Sequence, residues 1–378
     1  MNWKIPLFRI YSDKKDIDAV SKVIKRGFSW AEGPEIESFE RKTASYLGSR
    51  FALAFNSGTS ALHSLLLAHD VKGKDVIVPS FTFISTANAI LLAGGKPKFA
   101  ESEPETFGLD AGDVEKKIND NTKAIIAMHY MGFPSKDIGK LRKIADERNV
   151  LLIEDAAEAL GASINGKKMG TFGDSAIFSF CQNKVITTGE GGLMTTKTEE
   201  IYRKCKLIRS HGRAETGDNY FSSVGNEDYV EIGYNYRMPT VLASLGISQL
   251  NKIEKIIRKR RKIAKHLDKI LSKLKEVTIP KKIKGHCQIY QMYPILLENE
   301  KIRNDLQRYL VKKQIMSKVY FNPVHLKSFY RRRYKYKEGY LPNTESLSKK
   351  VLTLPLYVSM SKGDLDYISR SVKEFFAR

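Results

Sequence analysis

Short apolar segments alternate with helix-forming segments between residues 51 and 200, and this alternation limits the possible folds more than any other feature of the sequence. The segments of strand length are 51–56, 75–79, 96–100, 124–129, 150–154, 175–180 and 192–196. Between several of them lie stretches with helical periodicity, such as SALHSLLLAHD (60–70) and KDIGKLRKIADERN (136–149). This alternation predicts an α/β fold with a mostly parallel sheet and helices on both faces. Ligands in such folds bind at the carboxyl ends of the strands.

The length of 378 residues is sufficient for a large domain and a smaller companion. We predict a large domain over 1–250 and a smaller C-terminal α/β domain over 251–378. Segment 252–277 has apolar residues at helical spacing and is predicted to be the amphipathic helix that bridges the two domains. The segments CQIYQMYPILL (287–297) and MSKVYF (316–321) are predicted strands of the smaller domain.

The chain carries 64 basic and 42 acidic residues, which gives a net charge of +22. Such a charge indicates either a polyanionic partner, such as nucleic acid, or a general richness in lysine. We interpret the basic side of segment 252–277 as a solvated helix face. The segment YRRRYKYK (330–337) has the composition to stack on single-stranded nucleic acid or to grip a small polyphosphate. Charge alone does not decide between these partners.

The sequence favours a cytoplasmic protein without metal ligands. Cys181, Cys205 and Cys287 lack the CxxC spacing of a zinc site, and they form no pattern typical of a disulfide framework. The N-terminus lacks the apolar core of a signal peptide. The uncharged segment 76–95 is long enough to span a bilayer, but its proline and hydroxyl residues favour a buried strand, a loop and a helix. We therefore expect no membrane insertion.

The motif FNSGTSAL (55–62) places small residues between a strand and a helix. The N-terminus of a helix offers backbone N–H groups and the positive end of the helix dipole to an anion. Gly58 would let the backbone approach such an anion closely, and Thr59 and Ser60 would add hydroxyl donors. Helix capping without any ligand is the alternative.

The motif LLIEDAAEALGA (151–162) ends an apolar strand with Glu154 and Asp155. A carboxylate at the end of a strand faces the ligand crevice, where it can keep a heterocyclic nitrogen protonated. The alternative for Asp155 is an ordinary helix cap.

The motif FSFCQNKVITTGEGG (178–192) carries Ser179 at the end of a strand and Lys184 in the loop that follows. A lysine among apolar groups and near other cations becomes nucleophilic toward an aldehyde, whereas a lone lysine usually extends to solvent. Together the three motifs supply a phosphate cradle, a carboxylate for a pyridinium nitrogen and a Schiff-base lysine. These are the three requirements of pyridoxal 5'-phosphate (PLP).

Nine motifs in order along the chain resemble those of the DegT-type nucleotide-sugar aminotransferases, which are PLP enzymes of fold type I. This resemblance implies the aspartate-aminotransferase-like fold, with a mostly parallel seven-stranded sheet in the large domain. The matching motifs are GPEIESFE (33–40), NSGTSALH (56–63), PSFTFISTANAI (79–90), IEDAAEALGA (153–162), GKKMGTFGDSAIFSF (166–180), NKVITTGEGG (183–192), SHGR (210–213), GYNYRM (233–238) and PVHL (323–326).

The resemblance implies a function for several residues of these motifs. Lys184 would form the Schiff base with the cofactor and shuttle the proton during transamination. Asp155 would pair with the pyridine nitrogen, and Phe83 matches the aromatic residue that stacks on the cofactor ring.

The resemblance also implies which residues hold the cofactor phosphate. Gly58, Thr59 and Ser179 match the phosphate cradle. Asn235 and Arg237 match a segment that reaches the phosphate from the neighbouring subunit. The implied assembly is a homodimer with shared active sites.

Glu158 matches a position near the phenolic oxygen of the cofactor. A carboxylate beside a phenolate is repelled unless one of them holds a proton. We predict that Glu158 and the bound cofactor share a proton. The alternative is that Glu158 turns away to an arginine or to water.

The resemblance is strongest to enzymes of the GDP-perosamine synthase type, which aminate C4 of a 4-keto-6-deoxy sugar. It implies L-glutamate as the amine donor, pyridoxamine 5'-phosphate in the cycle, a nucleotide-diphosphate sugar as acceptor, and an amino sugar for surface polysaccharide as product. A 3-keto sugar or a cyclitol is the alternative acceptor. A regulatory, nucleic-acid-binding descendant is the alternative outside enzymes.

Two residues are candidates for contact with the substrate. His325, in PVHL, is expected either to touch the sugar or to make a structural hydrogen bond. Arg331, in the arginine-rich segment, would meet the nucleotide phosphates or lie in a solvated loop.

Overall fold

The computed structural model describes residues 3–214 and 228–377, and within them the predicted alternation of strands and helices is present. Each of the seven predicted strands of the large sheet lies within two residues of its predicted bounds. The strands are β1 (Phe51–Phe55), β2 (Asp75–Pro79), β3 (Lys96–Ala100), β4 (Thr122–Met128), β5 (Leu151–Asp155), β6 (Ser163–Ile164), β7 (Lys167–Lys168), β8 (Ser175–Ser179), β9 (Gly192–Thr196), β10 (His286–Cys287), β11 (Tyr293–Leu296) and β12 (Val351–Leu354).

Helices cover both faces of the large sheet and form most of the C-terminal part. Two short 3₁₀ turns, Tyr130–Gly132 and Val324–Leu326, add to them. The α-helices are α1 (Lys14–Arg26), α2 (Pro34–Leu47), α3 (Gly58–Ala68), α4 (Ile84–Leu92), α5 (Ala111–Lys117), α6 (Ile138–Glu147), α7 (Glu199–Arg209), α8 (Thr240–Leu250), α9 (Ile253–Leu271), α10 (Glu300–Lys312), α11 (Ser328–Tyr334), α12 (Pro342–Lys350) and α13 (Lys362–Phe376).

The large sheet has seven strands in the order β1-β9-β8-β5-β4-β2-β3. The pairs from β8 through β5, β4 and β2 to β3 are parallel, and β9 runs antiparallel to both β1 and β8. The carboxyl ends of β1, β5 and β8 therefore meet at one edge of the sheet. Strand β9 begins at the same edge, where Gly192 pairs with Phe55 and with Ser179. This is the edge to which the three motifs were assigned.

Apolar packing fixes the helices that lead to this edge. On one face, Leu62 and Leu65 of α3 join Phe55 and Met194 in a buried cluster. On the other face, Phe39 of α2 belongs to a second cluster that also contains residues of β8 and α9. Because α3 is anchored along its length, its first turn is held at the end of β1.

The uncharged segment 76–95 contains β2, a loop and α4, as the sequence indicated. Strand β2 is buried throughout, and α4 is a helix of 9 residues. Among residues 3–214 and 228–377, no helix combines the length and the apolar character that crossing a bilayer requires.

The bridging helix is shorter than predicted. Helix α9 ends at Leu271, and the chain then turns so that Thr278 pairs with Leu296. Its buried side carries most of the predicted isoleucines and leucines, and it also carries Arg260, which is an exception to the solvated basic face expected for this segment.

Two predictions for the C-terminal part need correction. Segment 316–321 forms a single bridge, between Lys318 and Thr353, instead of a strand. In addition, Ile5 and Leu7 pack into the C-terminal apolar cluster, and Ile5 pairs with Ile315. The N-terminal segment therefore crosses the predicted division of the chain at residue 250, because its apolar side chains are buried against later elements.

His69, at the end of α3, makes the stability of this fold sensitive to pH. Its Nε2 lies 3.0 Å from Ser175 Oγ, and burial lowers the pKa of His69 from 6.5 to about 4. Below pH 6.5 the unfolded chain binds a proton that the folded chain does not, so folding stability falls as the pH decreases from 6.5 toward 4.

Between pH 7 and pH 5, we expect the free energy of unfolding to fall by about 2 kcal/mol more for the wild type than for His69→Gln. This difference follows because the pKa of His69 is about 4 in the folded chain and 6.5 in the unfolded chain. Urea denaturation at both pH values measures this difference. Equal pH dependence of the two proteins would show that His69 is not the group responsible.

Candidate active site

The N-terminus of α3 closes on the end of β8. Ser57 caps the helix, accepting the N–H of Ser60 at 3.0 Å. A Cβ at position 58 would lie 3.2 Å from the Cβ of Ser179, so glycine lets the first turn approach the strand closely. The first turn of α3, with its unpaired backbone N–H groups, therefore lies directly against Ser179 at the end of β8.

The hydroxyl of Ser60 does not serve as the extra donor that the sequence suggested. It donates to Asn56 Oδ1 at 2.6 Å and completes the helix cap with Ser57, and the side chain is buried. Gly192 was not singled out from the sequence, yet a Cβ there would lie 2.5 Å from the backbone nitrogen of Gly58. The glycine pair in GEGG was the available signal, because close backbone approach commonly requires glycine.

Asp155 ends β5 and is buried at the same edge. Its Oδ2 accepts a hydrogen bond from Thr86 Oγ1 at 2.8 Å, and its Oδ1 accepts the N–H of Ala157 at 3.1 Å. Burial raises the pKa of Asp155, although both hydrogen bonds and the charge of Lys184 oppose this effect. A protonated heterocyclic nitrogen beside Asp155 would counter the effect of burial, because a nearby opposite charge favours the ionised carboxylate.

Thr86 and Thr82 were not identified from the sequence. Because the hydroxyl of Thr86 donates to Asp155, its oxygen accepts from the hydroxyl of Thr82 at 3.0 Å. Both side chains are buried, so the two hydroxyls orient the carboxylate from behind. The hydroxyl residues of PSFTFISTANAI were the signal.

Glu154 precedes Asp155 and points to the opposite side of β5, because successive side chains of a strand alternate. It accepts hydrogen bonds from His129 Nε2 at 2.9 Å and from the N–H groups of Gly170 and Gly173. Burial works against its ionisation, but these donors hold the pKa of Glu154 below its ordinary value. Glu154 therefore fixes the loop before β8, and Asp155 alone of the pair lies toward Lys184.

Lys184 extends from its loop to Glu158. Its Nζ lies 3.3 Å from Glu158 Oε1, and both side chains are largely shielded from solvent. The other carboxylate oxygen, Oε2, accepts the N–H of Met131 at 2.8 Å. Glu158 is thus held toward Lys184 and does not turn away to an arginine.

Phe83 lies just before α4 and leaves a face of its ring open. Its side chain is 57% exposed, unusual for a phenylalanine beside a buried core. Phe321 borders it at a centroid distance of 6.2 Å. The open face is suited to a planar ring of a ligand.

Asn235 and Arg237 lie in an extended segment that pairs with the end of β1. The backbone of Arg237 bridges to Phe55, and its side chain contacts Glu32 at 3.2 Å and Ser210 Oγ at 2.9 Å. Asn235 accepts from the side chain of Asn56 through its carbonyl oxygen. Within one chain, therefore, the side chain of Arg237 already has partners from the same chain.

His325 lies in the protein interior. It is fully buried, with Nδ1 at 2.7 Å from Ser80 Oγ and Nε2 at 3.1 Å from Glu345 Oε1. The structural alternative fits this geometry, because both ring nitrogens have protein partners. Contact of His325 with the substrate stays a prediction that these hydrogen bonds do not support.

Arg331 lies exposed on α11, together with the two arginines that follow it. Tyr330 anchors this helix, and its hydroxyl donates to Asn88 at 2.7 Å. This exposure fits the solvated alternative, and contact of Arg331 with the nucleotide phosphates stays a prediction.

The residues at the sheet edge fit PLP in the character of their groups. The first turn of α3, close to Ser179, has backbone N–H groups that suit a phosphate. The buried carboxylate of Asp155 suits a cationic ring nitrogen, and Lys184 supplies the amine. These were the three groups that the sequence predicted to converge. Asp155 and Lys184 are close enough for the lysine charge to act on the carboxylate.

Comparison with known proteins gives one consistent family. The model of the DegT/DnrJ/EryC1/StrS aminotransferase family matches residues 11–373. An uncharacterized protein of Methanocaldococcus jannaschii is 38% identical over 378 residues, which cover 98% of this chain and 97% of that protein. The GDP-perosamine synthase of Escherichia coli O157:H7 is 35% identical over 374 residues, or 99% of each chain.

The fold agrees with this similarity. Helicobacter pylori PseC, an aminotransferase involved in the biosynthesis of pseudoaminic acid, has a solved structure that matches with a TM-score of 0.91, at 28% identity and over 99% of both chains. The sequence match, the α/β architecture and the groups gathered at the sheet edge point the same way. The chain belongs to the DegT/DnrJ/EryC1/StrS aminotransferase family, and it is a PLP-dependent aminotransferase.

Proposed function

We propose that the protein transfers an amine from L-glutamate to a nucleotide-linked 4-keto-6-deoxyhexose, forming an amino sugar for surface polysaccharide. The observation that carries the proposal is the Lys184–Glu158 pair beside the buried Asp155 at the edge of the sheet. The similarity to GDP-perosamine synthases along nearly the whole chain supports a sugar of this class.

Each residue of the site has a distinct proposed task. PLP, when bound, supplies the electron sink that lets the bond next to the amine release a proton. The Lys184 amine holds the cofactor aldehyde and moves that proton. Asp155 keeps the pyridine nitrogen protonated, and the first turn of α3 with Ser179 and Thr59 holds the phosphate.

Phe83 and Glu158 are proposed to complete the cofactor site. The open face of Phe83 would pack on the cofactor ring, where an offset arrangement of two rings is favourable. Glu158 would share a proton with the nitrogen that joins Lys184 to the cofactor. Its second oxygen, fixed by the N–H of Met131, keeps the carboxylate from rotating away.

We further propose a homodimer in the cytoplasm. Large apolar side chains are exposed near the segment of Asn235 and Arg237, and Phe28, Trp30 and Ile232 are among them, the last 82% exposed. An exposed apolar patch of this kind favours a protein interface. The family resemblance implies that in such a dimer Asn235 and Arg237 reach the cofactor of the partner. The three cysteines are free thiols, which suits a reducing compartment.

The test is a visible absorption spectrum of the protein with PLP, followed by L-glutamate and then by nucleotide-linked keto sugars. We expect a band that L-glutamate bleaches and that one 4-keto-6-deoxy sugar restores. A band that bleaches but is restored by a 3-keto sugar or a keto cyclitol would move the acceptor to one of those alternatives. Absence of a band would contradict the assignment of Lys184.

Glu158→Gln tests the proton sharing. The change removes the negative charge 3.3 Å from Lys184 while keeping the size of the side chain. An opposite charge within a few ångströms stabilises a cation by about 1–3 pH units. We therefore expect the pH midpoint of the visible band to fall by about 1 unit or more. A spectrum that titrates as in the wild type would count against proton sharing.

A further inference from the structure

Arg260 occupies a place on α9 that the helical pattern reserves for an apolar residue. It lies on the buried side of the helix together with Ile256, Ile263 and Leu267, and its own side chain is buried. Placing a guanidinium there is costly, and burial lowers the pKa of Arg260 to about 9. A position of this kind requires a reason that packing alone does not give.

The partners of Arg260 are backbone carbonyl groups that belong to two separate segments. Nε donates to Tyr290 O at 2.8 Å, and Nη2 donates to Gln291 O at 2.5 Å and to Leu356 O at 2.9 Å. The planar guanidinium therefore fixes the backbone on both sides of Gln291 relative to α9.

Gln291 connects this anchored backbone to the loop of Lys184. Its Nε2 donates to the carbonyl oxygen of Asn183, the residue before Lys184, at 2.5 Å. The orientation of the amide follows from chemistry, because the acceptor is a carbonyl and only the NH₂ group can donate to it. Gln291 Oε1 is buried and has no hydrogen-bond partner in the described part of the chain. The side chain thus leaves one of its own polar atoms unpaired and holds Asn183.

The backbone of Gln291 reaches the other member of the ion pair. Its N–H donates to Met131 O at 2.9 Å, and the N–H of Met131 donates to Glu158 Oε2 at 2.8 Å. Glu158 Oε1 closes the circuit at 3.3 Å from Lys184. Gln291 therefore holds the loop of Lys184 through its side chain, and through its backbone it holds Met131, which donates a hydrogen bond to Glu158.

We propose that Gln291, anchored by Arg260, is a positioning residue that sets the separation between Lys184 and Glu158. The proposal rests on the assignment of Lys184 as the residue that bonds the cofactor. Loss of the amide donor would release Asn183 and let Lys184 move away from the carboxylate. The charge of Glu158 would then act less strongly on the nitrogen that joins Lys184 to the cofactor.

The test is the pH titration of the visible band in the PLP-bound protein for Gln291→Met, Glu158→Gln and the double variant. Methionine keeps the length of the side chain and removes the donor. We expect Gln291→Met to lower the pH midpoint by about 1 unit, in the same direction as Glu158→Gln. In the Glu158→Gln background, Gln291→Met should have almost no further effect, because the interaction through which it acts is already absent.

Gln249→Met is the matched control. Gln249 is another buried glutamine, and its Nε2 donates to Tyr11 O and to Asp16 Oδ2, both at 3.0 Å. It should lose stability by a similar mechanism without moving the titration. Arg260→Lys is the second variant, since one ammonium cannot reproduce the spread of the guanidinium, and it should shift the midpoint in the same direction.

Hydrogen exchange gives a measurement that does not depend on catalysis. In Gln291→Met, peptides that contain residues 129–133 and 181–186 should exchange about five- to tenfold faster, and in Gln249→Met they should not. An unchanged titration in folded Gln291→Met, or a shift that persists in the Glu158→Gln background, would overturn the proposal. A visible band that survives Lys184→Arg would instead overturn the proposed function.

Discussion

Replacing Lys184 with arginine is expected to abolish amine transfer. Arginine keeps the positive charge near Glu158 but cannot form the covalent bond with an aldehyde at neutral pH. We expect kcat to fall by about 10⁴- to 10⁶-fold, the range found when one member of a covalent catalytic triad is removed. The visible band of the bound cofactor should be replaced by that of free PLP.

Lys252→Arg is the matched control for this change. Lys252 is also a shielded lysine with carboxylate partners, since its Nζ lies 2.7 Å from Asp13 and 2.7 Å from Asp16. Arginine can keep both contacts, so the band and kcat should remain near those of the wild type. Retention of the band in Lys184→Arg would mean that another amine binds the cofactor.

Replacing Asp155 with asparagine is expected to have the second-largest effect. Asparagine keeps the shape and can still accept from Thr86, but it supplies no negative charge for the pyridine nitrogen. Removing one partner of a buried charge pair costs about 3–5 kcal/mol. We therefore expect kcat to fall by about 10²- to 10⁴-fold, at 1.36 kcal/mol for each factor of ten.

The nitrogen itself can be observed. With ¹⁵N-labelled PLP, the NMR shift of the pyridine nitrogen should indicate a protonated ring in the wild type and a neutral ring in Asp155→Asn. Glu154→Gln is the control, because Glu154 is the adjacent buried carboxylate and is bound by His129 and the glycine loop. It should lower stability and leave the ring protonated. A protonated ring in Asp155→Asn would remove Asp155 from its proposed task.

The pattern of the sequence was sufficient to predict the sheet and the position of the site. Strand length, apolar composition and the residues after each strand are local properties, so the seven strands were placed within two residues. In a parallel sheet the carboxyl ends share an edge, and so Gly58, Asp155 and Ser179 could be expected to meet there. The motifs also identified the family, because nine of them occur in the same order.

Partners that lie far apart in the sequence were decided only by the tertiary structure. For His325 the sequence left a substrate contact and a structural hydrogen bond open, and the structure shows it buried and bound to Ser80 and Glu345. The basic face of segment 252–277 was expected to be solvated, but Arg260 lies in the apolar stripe of α9 and is buried.

The circuit through Gln291 shows the limit most clearly. The side chain of Gln291 contacts Asn183, which lies 108 positions earlier in the sequence, and its backbone contacts Met131, which lies still further away. Periodicity shows which face of an element is buried, but a glutamine gives no sign of which carbonyl group it will meet. That choice depends on how the elements pack, because a hydrogen bond forms only where donor and acceptor are brought within about 3 Å in a shielded place.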